Sequence, residues 1–191
     1  MDARPKRLQV KVTLRDVDPL VWRRLVVTAH LTLADLHDAI QRAFGWQERH
    51  LHEFRIGDFR YGRPDYNDDF PGDGPPVGDE RRVTLALALG GRRKFEYWYD
   101  FGDDWWHDIV VEAALDADAR APSKALVAGE RACPPEDCGG PPGFFDLVAA
   151  LRDPAHPEHA ELREWAGNYD PDEFDLDKAA RAVSRKRMGG R

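Results

Sequence analysis

Leu8, Val10, Val12 and Leu14 alternate with Gln9, Lys11, Thr13 and Arg15, a period of two that predicts a half-buried strand. Asp16-Val17-Asp18-Pro19 turns the chain, and Val21 to Val27 predicts a second strand that completes a hairpin. The period then changes. Leu33, Leu36, Ile40 and Phe44 recur at helical spacing behind Thr32 and Asp35, an N-cap and a first-turn acid, and Gly45 supplies the stop. A third, short strand is expected over His50 to Ile56.

Asp58 to Glu80 has no helical period and holds prolines and glycines throughout, so it reads as an acidic surface loop. Val83 to Leu89 is compatible with a strand or a short helix. Phe95 to Tyr99 and Ile109 to Glu112 predict a second hairpin, with Phe101-Gly102-Asp103-Asp104 at its turn. After Ala121 the pattern becomes helical: Phe144, Leu147, Val148 and Leu151 up to Pro154, then Pro157 to Trp165, then Asp175 to Arg187 with Leu176, Ala179, Ala180 and Val183 inward. The expected fold is α+β: a mostly antiparallel, β-grasp-like sheet with one internal helix and a C-terminal helical part. Residues 1–191 are expected to form one domain, β-rich from about 8 to 115 and helical from about 143 to 187.

At 191 residues the chain can bury a sufficient core without staples. Its net charge of −7 argues against a general nucleic-acid surface, which needs a concentrated positive field. No apolar run approaches the roughly 20 residues needed to cross a bilayer, and no apolar segment follows the charged start, so a cytoplasmic protein without a membrane partner is expected. Two cysteines in that compartment stay reduced unless a metal or redox chemistry engages them.

Two segments stand apart from ordinary packing. One is Tyr97-Trp98-Tyr99-Asp100-Phe101-Gly102-Asp103-Asp104-Trp105-Trp106-His107, and the other is Cys133-Pro134-Pro135-Glu136-Asp137-Cys138-Gly139-Gly140-Pro141. His50 and His52, two apart on an expected strand, should share a face, and His107, Cys133 and Cys138 could join them around zinc, the candidate divalent metal. The plainer alternative is a set of hydrogen-bonded structural histidines and two free thiols in a tight turn. Glu136 and Asp137 should raise a neighbouring thiol pKa, which argues against a nucleophilic cysteine. Asp100, Asp103, Asp104, Glu136 and Asp137 could line a cation pocket, although aspartates beside glycine also stabilise turns by themselves. Trp98, Trp105 and Trp106 could form an aromatic platform, but strand alternation must send some of them inward. Gly139, Gly140 and Gly143 lack the spacing of a phosphate loop. The basic tail, Arg181, Arg185, Lys186, Arg187 and Arg191, suits a helix C-terminus.

The two segments, with Val21-Trp22-Arg23-Arg24, Thr32-Leu33-Ala34-Asp35-Leu36-His37, Phe44-Gly45-Trp46, His50-Leu51-His52-Glu53-Phe54 and Tyr61-Gly62, resemble the plasmid pRiA4b ORF-3-like family. Its members are also labelled passenger proteins of insertion elements. The resemblance runs from about Leu8 to Val183 and implies a compact α+β fold of unassigned activity, tied by name to transposition. The leading expectation is a non-catalytic binding or accessory module, associated with a mobile element, whose surface combines His50, His52, Asp103, Trp105, His107, Cys133 and Cys138 against a protein or small-molecule partner. The alternatives are a metal-dependent hydrolase using that cluster and, more weakly, a DNA-binding accessory using Arg23, Arg24 and the tail.

Overall fold

The structure is a computed structural model and describes residues 6–63, 76–116, 118 and 120–185. The middle of the acidic stretch and the tail residues Lys186, Arg187 and Arg191 lie outside them. In chain order the elements are β1 Arg7–Leu14, β2 Trp22–Thr28, α1 Leu33–Phe44, β3 His52–Ile56, β4 Phe59–Gly62, β5 Val77–Asp79, α2 Leu85–Leu89, β6 Lys94–Tyr99, β7 Trp105–Leu115, β8 Lys124–Glu130, α3 Gly140–Arg152, α4 His159–Ala166 and α5 Leu176–Ser184. The strands form one eight-stranded sheet in the order β5-β4-β3-β6-β7-β1-β2-β8. Every pairing is antiparallel except β4 with β5. After α1 the chain enters β3, which β6 and β7 separate from β1.

The expected alternation in β1 holds: Val10, Val12 and Leu14 are fully buried. They share one sheet face with Leu25 and Val27 of β2, Ile109 of β7, Phe95, Tyr97 and Tyr99 of β6, and Phe54 and Ile56 of β3. Helix α1 covers that face. Thr32 Oγ1 accepts the Asp35 N–H at 3.1 Å, and Gly45 ends the helix at φ 91°, a left-handed geometry that costs glycine no Cβ clash. Leu33, Leu36, Ile40 and Phe44 are buried beneath it. Helix α5 packs on both β8 and α1 and buries Val183, so the helical part is joined to the sheet.

Three expectations change. The acidic stretch is not all loop: it contributes β4 and β5, and Glu80 at its end is buried. Strands of four and three residues are too short to show a period. The chain is not wholly helical after Ala121, because β8 extends the sheet beside β2. Its inward set includes Lys124, which the alternation reads as polar, and Lys124 is buried in an ion pair with Asp38 of α1. The second hairpin is longer than expected, so Trp105, Trp106 and His107 lie on β7 and the turn spans residues 100–104. The Val83–Leu89 ambiguity resolves as a short helix from Leu85 to Leu89, capped by Thr84.

Candidate site at the junction of the two motifs

The β6–β7 turn and the 131–139 loop meet at one end of the sheet. Asp100 adopts φ 54°, a conformation its side chain supports by accepting the N–H groups of Gly102 at 3.0 Å and Asp103 at 3.3 Å. Asp103 then accepts the Gly139 N–H at 3.1 Å, tying the turn to the loop. The glycines make that approach feasible. A Cβ on Gly140 would lie 2.4 Å from the Asp103 carbonyl oxygen, and one on Gly143 would lie 2.0 Å from that of Cys138. Close packing, not phosphate binding, accounts for these glycines.

The loop in turn positions two carboxylates. Tyr99 donates its hydroxyl to Glu136 at 3.0 Å, and the Gln47 N–H donates to the same carboxylate at 2.7 Å. Burial raises the Tyr99 pKa, and Glu136 raises it further, which keeps the phenol a donor. Trp46 donates to the Pro134 carbonyl at 3.1 Å and stacks on Tyr99 with centroids 4.7 Å apart. Asp137 sits at φ 59° on the exposed rim.

His50 faces all of these groups. Its Nε2 lies 2.9 Å from Asp137 Oδ1, 3.4 Å from Asp100 Oδ2 and 3.7 Å from Glu136 Oε2. That nitrogen is buried and makes no hydrogen bond of acceptable geometry among the described residues. Ligand atoms of His50, Asp100 and Asp137 all lie within 4.8 Å of one another. Arg49, 3.7 Å from Asp137, is the nearby cation. Three carboxylates around one imidazole leave negative charge that a divalent cation would neutralise.

The remaining expected residues fall around this centre at different depths. Asp103 braces the loop without facing His50. Trp105 is core, 1% exposed, and its ring lies 6.3 Å from Trp46. His107 is fully buried, edge-on to Phe44 at 5.0 Å and Trp46 at 5.3 Å, and desolvation lowers its pKa to about 3. His52 is buried too, stacked on His37 with centroids 3.4 Å apart and held by Glu80 at 2.6 Å. His52 and His107 therefore occupy the same sheet face as Tyr97 but not the His50 cluster. Cys133 and Cys138 are free thiols whose pKa burial raises, to about 12 for Cys138, where Asp103 adds to the effect. Neither is a ready thiolate.

Asp100, Glu136 and Asp137 were legible only as turn or pocket acids, and His50 only as half of a strand pair. The missing signal was that His50 precedes β3, so the two-residue period does not govern it. Arg23 is 1% exposed, and its guanidinium donates to the carbonyls of Ala43, Trp22, Glu130 and Arg131. Four of its five N–H groups are thereby spent on backbone carbonyls, which leaves little for a phosphate. Arg24 pairs with Glu112 at 2.6 Å on the opposite face, beside Trp22.

Comparison with known proteins agrees with the resemblance seen in the motifs. The sequence profile of the plasmid pRiA4b ORF-3-like protein family matches residues 6–178. The chain is 44% identical over 167 residues to the uncharacterized protein y4hQ of Sinorhizobium fredii (strain NBRC 101917 / NGR234), covering 86% of this chain and 83% of that protein. The crystal structure of the protein of unknown function MM3350 from Methanosarcina mazei Go1 superposes with a TM-score of 0.81 at 30% identity, covering 92% of this chain and 98% of that one.

Proposed function

This chain belongs to the plasmid pRiA4b ORF-3-like family, and we propose that it is a non-catalytic binding module whose site is a divalent-cation centre formed by His50, Asp100, Glu136 and Asp137. One observation carries the reading: a buried imidazole nitrogen without a hydrogen bond faces three carboxylate oxygens at 2.9–3.7 Å. Metal–ligand bonds of about 2.0–2.2 Å place neighbouring ligand atoms roughly 3.0–3.6 Å apart. The His50-to-carboxylate distances suit that, and the ligand atoms of His50, Asp100 and Asp137, all within 4.8 Å of one another, would draw together around an ion. One nitrogen and several carboxylate oxygens suit manganese, iron or zinc better than a soft, thiolate-seeking ion. The two free thiols fit a reducing cytoplasm, and the family label supports an accessory role beside a mobile element.

Titration of untagged protein with Mn2+ and Zn2+ in a calorimeter should give one site per chain, lost in His50→Ala and in Asp100→Asn. Absence of stoichiometric binding by either ion would sink the reading. A metal-dependent hydrolase is the second reading, supported by Glu136, whose carboxylate is held by Tyr99 and Gln47 while Oε2 faces His50. Such a fixed carboxylate could serve as a general base. Metal-stimulated cleavage of simple nitrophenyl esters or phosphates, lost in Glu136→Gln, separates an enzyme from a binding module.

A further inference from the structure

We propose that the cleft beside this centre binds a small organic ammonium ion. The cleft has a volume of about 300 Å³ and lies between the 133–136 loop, residues 44–47 and the end of α4. Four aromatic residues line its wall: Phe44 and Trp46, whose rings are stacked on core neighbours, and Trp165 and Tyr169, for which no ring stacking is seen among the described residues. Glu136 is the one charged side chain among its described lining residues, and no arginine, lysine or histidine joins it. The neighbouring cavities differ. One is lined by Arg152 and Arg163 together with acids, and the other by Arg23, Arg42 and Lys178 together with Glu173 and Asp175.

Aromatic rings present negative faces, and an alkylammonium ion placed against them gains cation–π attraction. Glu136 adds a carboxylate at one wall, where it also accepts from Tyr99 and Gln47. A neutral apolar ligand would use only the rings, and an anion would be repelled. Trp165 argues further that the cleft is more than a packing fault. It is 51% exposed, on a helix that contributes no buried residue, so core burial does not explain a tryptophan there. The inference goes beyond the metal reading, because the cleft needs no ion at His50.

Choline and its neutral carbon isostere, 3,3-dimethyl-1-butanol, are suitable probes, with binding read from saturation-transfer NMR of their methyl signals. Choline should bind saturably and about tenfold more tightly than the isostere, a difference of about 1.4 kcal/mol. Trp165→Ala, at an exposed position, should weaken choline binding by about tenfold while leaving manganese binding intact. His50→Ala should do the reverse. A preference for choline below about threefold, no saturable choline signal, or unchanged choline binding in Trp165→Ala overturns the proposal. Retained choline preference without any metal binding would uphold the cleft and remove the metal centre.

Discussion

At the residue scale the informative side chains are the buried polar ones. His37 and His107 lie inside the protein, and desolvation lowers their pKa values to about 4 and about 3, with His52 further depressing His37. An unfolded histidine titrates near 6.5. Above that pH both residues are neutral whether folded or not, and their neutral burial contributes fully to stability. As pH falls from about 6.5 toward 4, the unfolded chain takes up protons that the folded chain refuses, so stability falls by up to about 1.4 kcal/mol per pH unit for each histidine. His107→Phe should therefore flatten the pH dependence of denaturant-measured stability by about one proton over that window. An unaltered slope would show that His107 titrates alike in both states. Tyr169 offers a different case: its hydroxyl is buried without a partner among the described residues. Tyr169→Phe should leave the stability within about 1 kcal/mol of wild type or raise it, because no hydrogen bond is lost and a desolvated polar group disappears. A loss above that, in urea denaturation, would reveal a partner.

At the scale of elements, α1 and the two joined turns organise the molecule. Phe44 closes the last turn of α1 against Trp46, His107 and the Arg23 guanidinium. Phe44→Ala should cost about 3–5 kcal/mol, as for a buried aromatic in a core that cannot collapse. Gly140→Ala should cost of order 1–3 kcal/mol through its positive φ, with more from the clash at the Asp103 carbonyl. It should also weaken metal binding, since the loop carrying Glu136 and Asp137 must back away. Normal affinity in a destabilised Gly140→Ala protein would show that the loop position does not set the site. How much of this was legible follows from the kind of signal each element carries. β1 and α1 were readable because Val10, Val12, Leu14 and Leu33, Leu36, Ile40, Phe44 each keep one period over several repeats. β8 was hidden because Lys124 occupies an inward position and Val127 an outward one, at 44% exposure. The convergence of the two motifs was expected from ligand-capable residue types. The identity of the cluster was not, because it depends on where a turn backbone aims Asp100 and on a histidine just ahead of its strand. Neither quantity has a period.

At the scale of the whole molecule, the helical part is not an appendage. Phe174 lies 3.7 Å from the Arg23 guanidinium and against Gly129 of β8, while Arg42 of α1 donates to the Ala182 and Arg185 carbonyls. Sheet and C-terminal helices should therefore melt together. Far-ultraviolet dichroism and tryptophan fluorescence should give one coincident thermal transition, and two separated midpoints would contradict a single cooperative unit. The glycine-backed fit of the β6–β7 turn against the 131–139 loop has a consequence for transplantation. Each segment is the other's mould, so neither is a portable motif. Grafting one of them from a diverged relative into this chain should yield a poorly folded chimera, whereas exchanging both at once should restore the native melting temperature. The smallest heritable unit of this site is thus a matched pair of loops tied across 36 positions by the Asp103–Gly139 hydrogen bond, and selection would see them as one.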